Sequence, residues 1–107
     1  MIKELTPQEF VARRAGGIEM TLLDVRETWE TALAPVPSEM VHIPMDQVPE
    51  RLSELDPKKA TVVICRSGAR SLEVARLLER QGFAAVSNLA GGILAWSRDV
   101  DPRIRQY

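Results

Sequence analysis

The sequence predicts an α/β fold: a parallel sheet of five strands with helices on both faces. Short β-prone runs alternate with helical patterns along the whole chain, the order that builds βαβ units. Two of the runs, residues 20–25 and 61–64, are almost continuously apolar, as strands covered on both faces must be. Capping residues and glycines stand where each helix has to start or stop. With 107 residues the chain has the length for one domain, residues 1–107, and one core.

Residues 2–5 read as an edge strand. Thr6-Pro7-Gln8-Glu9 is a capping box with proline at the first helical position, and its helix should run to about Arg14 and stop at Gly16-Gly17. The second strand ends where charge appears abruptly, at Asp24-Val25-Arg26-Glu27, followed by a short helical turn around Trp29. Pro35 and Pro37 exclude a helix and predict an extended surface loop. Val41-His42-Ile43-Pro44 is a short strand closed by proline, and Asp46 is placed to cap a helix through residues 50–55. Asp56-Pro57-Lys58-Lys59 is a turn. Residues 61–64, the most β-prone stretch, belong in the middle of the sheet. The next helix buries Val74, Ala75, Leu77 and Leu78 and ends at Gly82. Residues 85–89 form the last strand, and Gly91-Gly92 opens a final helix through Trp96. The polar tail, residues 99–107, is expected on the surface.

Composition excludes several functions. Apolar residues make up 45% and charged residues 27%, which argues against disorder. A net charge of −1 gives no general attraction to nucleic acid or to a membrane surface. No run is apolar for long enough to span a bilayer, and the N-terminus lacks the apolar core of a secretory signal. One cysteine and one histidine make neither an internal disulfide nor a metal site. A reduced, cytoplasmic protein without metal or cofactor is the expectation.

That cysteine stands in Cys65-Arg66-Ser67-Gly68-Ala69-Arg70-Ser71, between a strand and a helix start. The backbone N–H groups of Arg66 through Ser71 should converge on the sulfur, with the positive end of the helix dipole behind them. Gly68 supplies a backbone conformation other residues resist. A lone thiol is more often a small buried apolar group. Two arginines, a glycine and a helix start within six residues instead favour an acidic, nucleophilic thiol in an anion cradle. Arg66 and Arg70 suit an anionic substrate, with internal capping of the loop as the alternative for Arg70. Ser67 and Ser71 either bond the sulfur or cap the helix. Asp24 and Arg26 fall at the end of a neighbouring strand, on the same rim. His42, beside isoleucine and proline, reads as packing, as do Trp29 and Trp96.

The cysteine loop resembles the active-site loop of the rhodanese family of sulfurtransferases. Leu22-Leu23-Asp24-Val25-Arg26-Glu27, His42-Ile43-Pro44-Met45 and Asn88-Leu89-Ala90-Gly91-Gly92-Ile93-Leu94-Ala95-Trp96 agree with that family in the same order. The similarity covers nearly the whole chain. One departure is that residues 32–40 lack a Gly-His-Ile-Pro-Gly-Ala-type run. The resemblance implies a three-layer rhodanese-like domain. It also implies a reaction in which Cys65 takes the outer sulfur of thiosulfate or a similar donor, holds it as a persulfide, and passes it to cyanide or a thiol. It makes Asp24 and Arg26 supporting residues, a carboxylate bracing the loop and an arginine paired with it.

Related folds that hydrolyse phosphate esters separate cysteine and arginine by five residues. Here Cys65 and Arg70 are separated by four, a tighter ring that suits one terminal sulfur better than a phosphoryl group. A second reading is a persulfide carrier that docks on an acceptor protein, since no second cysteine resolves the persulfide internally. A signalling module with a spent site is disfavoured by the intact Cys65.

Overall fold

The computed structural model describes residues 1–107. Strands β1 (Lys3–Leu5), β2 (Met20–Asp24), β3 (Val41–His42), β4 (Ala60–Ile64) and β5 (Val86–Leu89) form one sheet in the order β1-β5-β4-β2-β3. Every pairing is parallel. β4 lies in the centre, in register with β2 from Ala60↔Met20 to Ile64↔Asp24 and with β5 from Thr61↔Val86. That is the place its β-branched run predicts. Helices α1 (Pro7–Ala15), α2 (Thr28–Leu33), α3 (Ala69–Arg80) and α4 (Gly92–Asp99) connect or flank the strands.

The α1 capping box forms as expected: the Glu9 amide donates to Thr6 Oγ1 at 3.1 Å and the Thr6 amide donates to Glu9 Oε1 at 2.9 Å. Strand alternation then sorts the core into two layers. Leu22, Val62, Ile64 and Leu89 face Phe10 of α1 and Ile93 and Trp96 of α4, with the Phe10 and Trp96 rings 5.6 Å apart. Leu23, Val63 and Cys65 face Val74, Ala75 and Leu78 of α3. Cys65 continues the period of Val63, so the sheet itself aims its sulfur at the α3 face.

Three expectations need correction. The helix anticipated after Asp46 is two 3₁₀ turns, Met45–Glu50 and Leu52–Glu54, and the first has no side-chain cap. Pro49 sits inside that turn. Its ring and missing N–H prevent an α-helix from propagating through it. Leu77 is half-buried against the α3-side core rather than fully covered. The tail is not confined to the surface: Ile104 is buried in the core beside α4, and Ser97 Oγ donates to its carbonyl at 2.7 Å. The stretch without the Gly-His-Ile-Pro-Gly-Ala-type run still packs, because Ala34 and Val36 are buried in the same layer. No helix is long and apolar enough to cross a membrane.

Candidate active site

Cys65 follows the last residue of the central strand, and α3 begins four residues later. Between them Gly68 takes φ +109°, a left-handed conformation that costs any side-chain-bearing residue. The turn brings the Gly68 N–H to Cys65 Sγ at 3.1 Å and the Ser71 hydroxyl to the same sulfur at 3.2 Å. Burial pushes the thiol up. Hydrogen bonds from the Ser71 hydroxyl and from the amides of Ser71, Gly68 and Ser67 outweigh it, so the thiol lies below its ordinary value. Of the amides from Arg66 to Ser71, Gly68's makes a hydrogen bond to the resting sulfur, and those of Ser71 and Ser67 also favour its anion. Cys65 is only 1% exposed, so the dipoles around its sulfur act with little screening.

The double glycine explains how the loop holds this orientation. Ile93 N donates to the Cys65 carbonyl at 2.9 Å and Leu94 N to the Arg66 carbonyl at 3.1 Å. The start of α4 thus collects the loop's carbonyls. A trans peptide points its N–H opposite to its C=O, so the Arg66 and Ser67 amides are turned away from α4. A Cβ on Gly92 would lie 2.4 Å from the Arg66 carbonyl oxygen, which is why glycine is required at that contact.

The two loop arginines both have partners within the chain. Arg70 makes a two-pronged bond to Glu30 of α2, Nη1 to Oε2 at 2.7 Å and Nη2 to Oε1 at 2.8 Å. Arg70, burial and the Glu27 amide together leave the Glu30 carboxyl lowered to about 2, Arg70 being the main cause. Arg70 is therefore already paired inside the chain, with α2, where the sequence left either an anion or the loop itself as its partner. Arg66, exposed at the rim, donates through Nε to the Tyr107 main-chain oxygen at 2.6 Å, and its guanidinium lies 5.2 Å from the Tyr107 ring centre. Ser67 contributes its amide while its side chain is exposed, and Ala69 is likewise exposed at the first turn of α3.

Asp24 and Arg26 form a pair with both side chains fully buried, Nη2 to Oδ2 at 2.9 Å. Arg26 continues to the Ala34 carbonyl at 2.9 Å and the Tyr107 hydroxyl at 3.1 Å. The pair thus ties together the 26–34 turn and the tail rather than bonding the cysteine loop directly. His42, half-buried, places Nε2 2.7 Å from the Arg26 carbonyl oxygen, within hydrogen-bonding distance. Trp29 is 62% exposed and meets the Tyr107 ring edge-on at 6.0 Å, so it belongs to the rim; Trp96 is core.

Glu30, Asn88 and Tyr107 take part without having been singled out from sequence. Glu30 and Asn88 carry a faint signal, an acid facing a basic loop and a polar residue in a buried strand. Tyr107 carries none, because its partners lie as far as 81 residues away.

A family model for the Rhodanese-like domain matches residues 6–99. A Bacillus subtilis (strain 168) protein named "Putative sulfurtransferase YtwF" is 40% identical over 102 residues, covering 95% of this chain and 97% of that one. A protein named "Sulfurtransferase" from Allochromatium vinosum is 37% identical over 98 residues, covering 92% and 91%. The crystal structure of a rhodanese-like domain protein from Staphylococcus aureus superposes with a TM-score of 0.83 at 28% identity, covering 99% of both chains. A strand-borne cysteine under converging amides, on this fold and with these relatives, makes the chain a member of the rhodanese family.

Proposed function

We propose that the protein moves a sulfane sulfur from thiosulfate or a donor like it to cyanide or a thiol, through a persulfide on Cys65. The observation that supports this most directly is that the Gly68 amide and the Ser71 hydroxyl both bond the Cys65 sulfur, whose proton is thereby held less tightly than usual. In the first step the thiolate attacks the outer sulfur of the donor. The donor's S–S bond breaks, and sulfite leaves with the bonding electron pair. The negative charge then sits on the terminal sulfur, where preorganised amides stabilise it without rearrangement. An acceptor attacks that sulfur, the Cys65–sulfur bond breaks, and the thiolate returns. Arg66 at the rim exchanges the Tyr107 oxygen for the donor's anionic group. Arg70 keeps Glu30 and shapes the loop, which also leaves it unavailable to hold a phosphoryl group.

The carrier reading gains from the same pairing. With Arg70 neutralised by Glu30 and Arg66 engaged by the tail, the rim does not present two free charges to a dianion. A persulfide delivered to or from a protein thiol fits such a rim. One experiment addresses both. Intact-mass measurement after incubation with thiosulfate should show one added sulfur, about 32 Da, absent in Cys65→Ser. An adduct that survives this substitution refutes the persulfide. Prompt loss of the adduct with cyanide supports the small-molecule enzyme. Loss only to a protein thiol supports the carrier.

A further inference from the structure

Asn88, 2% exposed on β5, stands behind the cysteine loop with its amide fixed at both ends. Nδ2 donates to the Gly68 carbonyl at 3.0 Å and to the Glu4 carboxylate at 3.1 and 3.2 Å. Turning the amide over would set its oxygen against those acceptors, so Oδ1 must face Ser71. There it accepts from the Ser71 hydroxyl. The same hydroxyl lies 3.2 Å from Cys65 Sγ. A serine hydroxyl has one proton to donate, and Ser71, fully buried, has two acceptors within reach.

We propose that Asn88 is a positioning residue for the Cys65 sulfur and acts through Ser71: Asn88 and the sulfur compete for the single Ser71 proton. With a neutral thiol the chain of bonds closes, S–H to Ser71 Oγ and Ser71 O–H to Asn88 Oδ1. When the thiol ionises, its proton goes to solvent and the Ser71 hydroxyl rotates to the thiolate without breaking its own O–H bond. Once a second sulfur is loaded, the charge moves to the outer atom. The inner sulfur becomes a weak acceptor, and the hydroxyl turns back to Asn88. Asn88 thereby makes the Ser71 bond conditional on charge at the inner sulfur. Through the Gly68 carbonyl it also steadies the left-handed turn whose amide completes the cradle. This rests on reading Cys65 as the sulfur-carrying nucleophile.

The charged and titratable groups on the surrounding elements are Arg66 and Arg70 on the loop and α3, and Glu30 and Tyr107 beyond Arg70. Asp24 and Arg26 lie at the end of β2, and Glu4 lies on β1 behind Asn88. All are retained in a double-mutant cycle, which isolates the Asn88–Ser71 coupling. The Cys65 thiolate is titrated by its ultraviolet absorbance in the full chain, each variant corrected with its Cys65→Ser counterpart. With Ser71 present, Asn88→Leu removes the competitor and should give roughly threefold more thiolate below the midpoint, about half a pH unit. In a Ser71→Ala background the same substitution should give no such gain.

If Asn88→Leu does not fold, Asn88→Asp keeps the oxygen and makes it a stronger acceptor. It should then raise the midpoint further with Ser71 present than with Ser71→Ala. Equal shifts in the two backgrounds, for whichever substitution folds, overturn the proposal, since a merely structural Asn88 acts without regard to Ser71. Thiosulfate loading is scored separately by mass. A failed coupling with normal loading removes only the role of Asn88, and a failed loading removes the persulfide reading.

Discussion

Arg70 and Glu30 show how one ion pair can shape the cysteine loop without touching the sulfur. Glu30's side chain is 4% exposed and Arg70's 35%, so removing the arginine strands a nearly buried carboxylate. Arg70→Ala should cost about 2 kcal/mol, less than a fully buried pair because one partner is partly screened. The pH dependence has a definite sign. Glu30's carboxyl is depressed from 4.5 to about 2, so its contribution to stability is complete above 4.5 and is lost as pH falls through about 2. Urea denaturation at pH 7 and pH 3 should therefore show the gap between wild type and Arg70→Ala narrowing in acid. A gap of the same size at both pH values would refute the pairing. Arg70 beside an acid-facing helix start was legible as a charged loop residue. Its pairing with Glu30 was not, because 40 residues separate the two.

At the scale of elements, the contact between the start of α4 and the cysteine loop carries the geometry. Gly92→Ala forces φ +60° on alanine, about 1–2 kcal/mol, and drives its Cβ into the Arg66 and Cys65 carbonyl oxygens. Gly82 has φ +88° with nothing within 4 Å of a Cβ, so Gly82→Ala bears the conformational cost alone. Both variants should lose stability, and only Gly92→Ala should raise the Cys65 thiol midpoint, because only it rotates the amides off the sulfur. An unchanged midpoint in Gly92→Ala would separate α4 from the cradle. The capping box, the central strand and the double-glycine helix start were all readable from local residue chemistry. The 3₁₀ turns around Pro49 were not, because the cap signal at Asp46 is overridden by a proline that interrupts the helix behind it.

Across the whole molecule the tail closes the structure over its own site. Ile104 anchors in the α1–α4 core, and three residues later the Tyr107 hydroxyl accepts from Arg26 and donates to Glu30 at 3.0 Å. Tyr107→Phe removes one hydroxyl from that junction and should cost about 1 kcal/mol. Scanning calorimetry would register it as a fall in Tm of roughly 4–8 °C for a domain near this size. No change in Tm would mean that the tail rests on the loop without bracing it.

Local chemistry determined the strand, the glycine turn and the helix that present Cys65, because caps, β-branching and left-handed glycines act over a few residues and leave their mark in order. The family follows from that segment and its companions along the chain, and with it the proposal that Cys65 is the nucleophile. Tertiary structure decided which partner each arginine takes, that Asn88 and the sulfur share one serine proton, and that the tail covers the rim. Those pairings join residues tens of positions apart, and only packing two layers against one sheet brings them within hydrogen-bonding reach.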